Sequence, residues 1–274
     1  MSTPIRLSIA LVTRNRTASL CRCLASLRVQ DTQPWEIVIS DDSDESPAKI
    51  NRAIAAEFGA RHIPGPRRGL YANRNAAALA CEGTHIRAMD DDHTFPPGHF
   101  ACCLDAISRA PKAVWACGEM SYVEGAFHTP PGPAVQLHPS GVGGPVSDPD
   151  DNWAIADGST IYPREVFASG LRMVEDFGYG SSYLEFGAYL YRHGFRSRLL
   201  RETWIEHHAE PATLARSDIR SRLFASLCFN LYFRRHLGLA AKYAGAYAIW
   251  RQPSLGRELP ALLKKVWARW GKSA

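Results

Sequence analysis

The chain has 274 residues, 46% hydrophobic and 22% charged, which is ordinary globular usage and excludes wholesale disorder. Its net charge of +5 is unevenly placed: residues 212–274 carry twelve Lys and Arg against two acidic residues (+10), leaving twenty basic and twenty-five acidic residues (−5) for the rest. A mildly acidic body with a basic tail suggests an anionic partner for the tail: membrane headgroups, nucleic acid or an acidic acceptor.

Ile5 to Val12 is a short run rich in Ile, Leu and Val and predicts a buried first strand. The polar loop Thr13-Arg14-Asn15-Arg16 follows, then a helix from Thr17 to about Val29 with Leu20, Cys23, Leu24 and Leu27 on one face. Glu36 to Ser40 reads as a second strand ending in Asp41-Asp42-Ser43-Asp44, Ala48 to Gly59 as a helix, and Ala60 to Ile63 as a short third strand. Leu70 to Cys81 is an Ala-rich helix stopped by Gly83. A fourth strand, His85 to Met89, ends in Asp90-Asp91-Asp92, before a helix from Phe100 to Arg109 and a strand near Val114 to Cys117. This alternation predicts an α/β domain whose mostly parallel sheet has helices on both faces, with polar clusters just after strands, where such sheets bind ligands.

Gly125 to Asn152 is rich in Pro and Gly and reads as a long mobile loop beside the site. A compact segment from Trp153 to Leu200 holds a helix from about Tyr183 to His193, and the chain from Ser217 onward is helical, divided by Pro253 and Pro260. The seven cysteines form no CxxC pair and are expected to be reduced thiols of a cytosolic protein. The N-terminus lacks the pattern of a secretion signal, and without a run of 18 apolar residues no membrane span is expected.

Asp90-Asp91-Asp92 is the strongest chemical signal. Carboxylates crowded at a strand end repel one another unless a cation neutralises them, and a hard divalent ion such as Mg²⁺ or Mn²⁺ suits their oxygens and bridges to a diphosphate. A solvated acidic turn before Pro96-Pro97 is the alternative. Asp41-Asp42 is the second signal, placed to take a ribose hydroxyl or a base N–H, or to serve as a turn.

Taken together, the order strand-TRNR, strand-DD, Arg-bearing helix, strand-DDD resembles family 2 glycosyltransferases of the GT-A fold. Val12-Thr13-Arg14-Asn15-Arg16 is similar to their PTYNR opening, and Ser40-Asp41-Asp42-Ser43-Asp44 to their VDDGS. Gly69-Leu70-Tyr71-Ala72-Asn73-Arg74-Asn75 is similar to GLxxARN, and Ala80 to Asp92 to a segment ending LDxD. The resemblance is specific over residues 5–104 and looser to about 210. It implies a Rossmann-like GT-A domain over 1–211, with a nucleotide-binding half (1–117) and an acceptor half (118–211), followed by a basic helical extension (212–274). Thr13, Asp42 and Arg74 would hold the nucleoside and its phosphates, with Arg16 and Arg68 as further diphosphate contacts. Asp90 and Asp92 would form the DxD pair, Asp92 being the direct ligand of Mn²⁺ or Mg²⁺.

The second half departs from that pattern. Where many relatives carry a Glu-Asp pair at a helix start, this chain has Ser182 and Tyr183. Glu185, the nearest carboxylate, is the first candidate for catalytic base, with the helix dipole as its alternative role. Asp157 is the second candidate base or an acceptor contact. His207-His208 follows the apolar Thr203-Trp204-Ile205; adjacent strand residues point oppositely, so at most one would join Asp92 on a metal, and His207 is preferred. Trp153 and Tyr179 could stack on an acceptor sugar or pack in the core.

The implied reaction is an inverting, metal-dependent transfer of sugar from a nucleotide-diphosphate donor, most commonly UDP-linked among relatives, to a glycan, lipid-linked or other hydroxyl acceptor. Nucleotidyl transfer would favour a glycine-rich phosphate loop, which TRNR is not. A non-catalytic sugar-nucleotide or glycan-binding module is the other alternative, kept open by the absent acidic pair. In the tail, Leu262, Val266 and Trp270 recur at spacing four beside Lys264, Lys265, Arg269 and Lys272. That stripe suits peripheral contact with the cytoplasmic membrane face, or packing on the domain. No recognition motif accompanies the charge, so no nucleic-acid partner is expected.

Overall fold

The computed structural model describes residues 4–271 apart from 124, 125, 128 and 209–217. The expected boundary at 211/212 and Lys272 lie outside the described residues.

Strand β1 (Leu7–Thr13) is buried along its whole length. Its period of two sends Leu7, Ile9 and Leu11 into one core and Ala10 and Val12 into another. Helix α1 (Thr17–Arg28) buries Leu20, Cys23, Leu24 and Leu27, and β2 (Glu36–Asp41) leads into α2 (Glu45–Glu57). Then come β3 (Arg61–Pro64), α3 (Leu70–Ala80), β4 (His85–Asp90), the two-residue β5 (His93–Thr94) and α4 (His99–Arg109). The core that receives Leu7, Ile9 and Leu11 is filled by α1, α4 and Ala55 of α2, and the opposite core by α3 and later helices. Helices therefore cover both faces.

Strand β6 runs over Val114–Val123, well beyond the predicted end at Cys117, because it pairs with strands on both sides. The Pro/Gly-rich stretch is more ordered than the sequence suggests. It holds β7 (Ala126–Phe127), β8 (Val135–Leu137) and β9 (Gly143–Gly144), and β8 pairs with β9 and with β10 (Ala154–Ile155) in a small separate sheet. These pairings are non-local and leave no local periodicity. Next are β11 (Thr160–Pro163), α5 (Arg164–Ala168), α6 (Ser182–Arg192) and β12 (Ser197–His207). The main sheet has the order β3-β2-β1-β4-β11-β6-β12-β5. β3, β2, β1 and β4 are mutually parallel, as are β6 and β12, while β11 and β5 run antiparallel to their neighbours.

The C-terminal helices are α7 (Ile219–Cys228), a π-helical turn Phe229–Phe233, α8 (Leu237–Gly245), a second π turn Ala246–Arg251, and α9 (Leu255–Trp270). Pro253 precedes α9, but Pro260 lies inside it rather than dividing it. Leu255, Leu262, Val266 and Trp270 pack into a third core with Leu184 and Ala188 of α6 and with Leu223, Phe224 and Phe229. The stripe Leu262, Val266 and Trp270 thus faces the body, and the extension shares a core with the domain.

Candidate active site

The parallel strands β1, β2 and β4 end side by side, with Val12 paired to Asp90 and Thr13 to Asp41. Asp41 turns inward. Its carboxylate accepts from Ser43 N at 2.8 Å and Asn51 Nδ2 at 3.0 Å and meets His62 Nε2 at 3.0 Å. Burial opposes its charge, but these donors hold it below the usual carboxylate range. Asp42 is left to face the β3–α3 loop, where its Oδ1 accepts the Arg67 amide at 2.8 Å. A side chain at Gly65 would collide with the Asp42 carboxylate and with Asn73 Oδ1, so the β3–α3 loop packs this closely on the strand end only with glycine there.

Thr13 Oγ1 donates to Asp91 Oδ2 at 2.7 Å, and Arg16 bridges Asp91 and Asp92 with both contacts at 3.0 Å. Burial pushes Asp91 up to about 7, against Arg16. Asp90, expected in a metal-binding pair, is instead held by Arg74, whose buried guanidinium also grips Asp157. Asp157 lies in the tight turn between β10 and β11. There Gly158 has φ +64°, and a Cβ on it would meet the Asp90 carboxylate at 2.8 Å and the His93 ring at 2.9 Å. Burial raises Asp157 above the usual carboxylate range despite Arg74.

The histidines come from the far edge of the sheet. β5 pairs with β12 so that His93 is directly opposite His207, their rings 5.2 Å apart. His207 Nε2 lies 3.6 Å from Asp92 Oδ2, and its Nδ1 lies 3.5 Å from Glu119 Oε2 on β6. His208 points the other way, to Thr94 Oγ1 at 2.9 Å. Burial works against charging His207, but Asp92 and Glu119 push it up to about 10. Burial holds His93 down to about 4. Burial likewise opposes the Asp92 charge, yet His207, His93 and Arg16 hold its carboxyl well below the usual range.

Asp92, His93 and His207 offer one oxygen and two nitrogens within 4.8 Å of one another. Asp92 Oδ1 and His93 Nδ1 are buried without a hydrogen-bond partner. Orphaned ligand atoms at that spacing fit a divalent ion. His93 and Glu119 were missed by sequence reasoning. His93 follows the acidic triplet directly and could have been noticed, but Glu119 is brought in only by the pairing of β6 with β12.

Three expected residues are placed elsewhere. Glu185 is fully buried, and its carboxylate accepts from Arg269 Nε at 2.9 Å, Arg269 Nη2 at 3.0 Å and Trp270 Nε1 at 2.7 Å. Both oxygens are engaged by α9, which leaves neither for an acceptor hydroxyl. Arg68 is at the surface, paired with Glu175 at 3.0 Å. Trp153 packs in the third core and donates to Leu137 O at 2.9 Å. Tyr179, by contrast, is 38% exposed, and its hydroxyl, raised by burial, also feels the charge of Asp157.

A mostly parallel sheet with helices on both faces, acidic strand ends and a histidine brought opposite them define a GT-A-type domain. Residues 8–171 match the family model described as glycosyl transferase family 2, more than half of the chain, and the protein belongs to that family. It is 36% identical over 107 residues to an uncharacterized glycosyltransferase, YwdF, of Bacillus subtilis (strain 168), a match covering 39% of this chain and 40% of that one. Among solved structures it superposes on GalNAc-T7 with UDP, GalNAc and Mn²⁺ at a TM-score of 0.66 and 15% identity, covering 85% of this chain and 49% of that one. It also superposes on S. aureus TarS 1–349 in complex with UDP-GlcNAc at a TM-score of 0.63 and 15% identity, covering 97% and 82%. The latter two likenesses concern the fold.

Proposed function

We propose that the protein transfers a sugar from a nucleotide-diphosphate donor, UDP-linked, to an acceptor hydroxyl with inversion, using Mn²⁺ or Mg²⁺. The observation that carries this reading is the convergence of Asp92, His93 and His207 beside Arg16 and Thr13, at the end of the sheet that also carries Asp42. Two imidazoles favour Mn²⁺ of the two ions. When bound, the ion supplies positive charge to the donor's diphosphate and to the leaving group. UDP in the GalNAc-T7 structure and UDP-GlcNAc in the TarS structure are consistent with a UDP-sugar donor.

In this reading Asp42 and the Arg67 amide hold the nucleoside. Arg16 exchanges its carboxylate partners for diphosphate oxygens, and Arg74 keeps Asp90 and Asp157 in register. Asp157 takes the base role expected of Glu185. Its charge acts on Tyr183, which with Ser182 stands where the acidic pair is usual, and on Tyr179, and its raised pKa suits proton abstraction. Tyr179 flanks the acceptor. Calorimetry with UDP-sugars tests the donor site: binding should require Mn²⁺ and be lost in Asp92→Ala. Undiminished binding in chelator would overturn the metal assignment.

No described helix is long and apolar enough to cross a membrane. The basic extension supports peripheral contact with the cytoplasmic membrane face through the outer side of α9. Leu263 and Trp267, 40% and 57% exposed and one turn apart, stand there beside exposed Lys264. A lipid-linked acceptor would suit that placement.

A further inference from the structure

A cavity of about 450 Å³ opens between the small sheet and the C-terminal helices. Its wall includes Gln136, His138, Trp153, Phe229, Arg234 and His236. None of these belongs to the cluster described above. Trp153 follows Asn152, which bridges to Ser197 at the start of β12, whereas His207 ends that strand. Ten residue steps of strand separate the two positions, about 30 Å at strand rise.

The polar groups of this wall have a definite sense. Backbone amides donate to Nδ1 of both imidazoles: Ser140 N to His138 at 3.2 Å and Leu239 N to His236 at 3.1 Å. Each ring with Nδ1 committed as acceptor carries its proton on Nε2, so both rings are donors. Arg234 lies over the Trp153 ring at 4.9 Å, and no described carboxylate pairs with it. Gln136 contributes the opposite kind of group: its Oε1 is buried without a partner, an acceptor awaiting a hydroxyl. No lining residue is acidic.

The local backbone is also unusual. Phe229 opens the π turn Phe229–Phe233, and Arg235, between the lining residues Arg234 and His236, has φ +54° although it carries a side chain. Interrupted helices and left-handed non-glycine residues cost free energy and concentrate at binding sites.

We infer that this cavity is a second saccharide site, remote from the donor site, that takes an acidic sugar. The anionic substituent, a carboxylate or a phosphate ester, is received by Arg234 and the two Nε2–H groups. A ring hydroxyl donates to Gln136 Oε1, and the apolar ring face lies against the Trp153 and Phe229 wall. The inference deepens the transferase reading, since it gives an extended acidic acceptor a second foothold, and it rests on that reading only for its purpose.

Saturation-transfer NMR and calorimetry on the full chain test it with four probes: trigalacturonate, a phosphorylated maltotriose, neutral maltotriose and inorganic phosphate. Either acidic trisaccharide should bind at least tenfold more tightly than maltotriose and than phosphate. Which of the two binds better identifies the substituent. Arg234→Gln, at an exposed position, should weaken that binding about tenfold and leave UDP-sugar binding with Mn²⁺ unchanged. Equal affinity for acidic and neutral trisaccharides, equal affinity for inorganic phosphate, or an undiminished Arg234→Gln variant would overturn the inference. Donor binding without acidic-saccharide binding sinks this site alone; the converse sinks the donor-site reading alone.

Discussion

Asp41 and Asp42 are adjacent in the chain and do different work, because a strand end sends them to opposite sides. Asp41 is tied to Ser43, Asn51 and His62, whereas Asp42 faces the β3–α3 loop, where it accepts the Arg67 amide. Asp41→Ala should therefore cost stability, about 2 kcal/mol for the donors left unpaired. Asp42→Ala, which frees only the Arg67 amide, should cost less, about 1 kcal/mol, and weaken UDP binding about tenfold. A melting curve and a titration on each variant separate the two roles, and the reverse pattern would mean the strand end is misread. Asp157 gives a pH test. Its folded pKa is raised, so the basic form is lost as pH falls through a value above the usual carboxylate range. The turnover rate should fall on the acid side at a higher pH than an ordinary carboxylate would give. Asp157→Asn should abolish that limb and lower kcat on the order of 10²-fold with donor affinity retained. A variant that kept the acid limb would assign the base elsewhere. At this scale the sequence shows residue types but not partners: Asp90 reads as a metal ligand until Arg74 is seen to hold it.

Glu185 shows the same limit for elements. Its position near a helix start matches a catalytic pattern, but α6 is rotated so that this carboxylate meets Arg269 and Trp270 of α9. That contact joins residues more than eighty positions apart, which no local signal reports. Glu185→Gln leaves a buried guanidinium short of its charge partner and should cost about 3 kcal/mol. Donor affinity of the folded fraction should be unchanged, and loss of turnover with undiminished stability would restore Glu185 to catalysis. The helices themselves were legible, because α1, α3, α4 and α6 begin and end within a residue or two of where their apolar periodicity and stops place them. The two faces of α9 were not told apart. The stripe chosen from spacing packs inward, and Leu263 and Trp267 remain outside. Liposome sedimentation checks the outer face. Binding should rise with anionic lipid, fall with salt, and drop in Leu263→Ser with Trp267→Ala, which spare the packed stripe. Equal recovery on neutral and anionic vesicles at low salt would leave α9 with its packing role alone.

For the whole molecule, the alternation of strand and helix up to Cys117 carried the fold, since β1, β2 and the start of β6 are locally apolar and each crossover is short. Beyond it the sheet is built from distant pieces. β11 inserts antiparallel between β4 and β6, and β5 closes against the end of β12. The acidic strand ends of the candidate site were therefore visible as motifs, while Glu119, the pairing of His93 with His207 and the placement of Asp157 required the assembled sheet. The central claim is that this assembly makes a metal-dependent donor site that turns over. The most direct measurement is release of nucleoside diphosphate from a panel of nucleotide-sugars, with Mn²⁺, with chelator, and with Asp92→Ala and His207→Ala. Release from at least one UDP-sugar that needs Mn²⁺ and falls on the order of 10²-fold in both variants is the expected result. Release that persists at full rate in chelator, or in both variants, would contradict it.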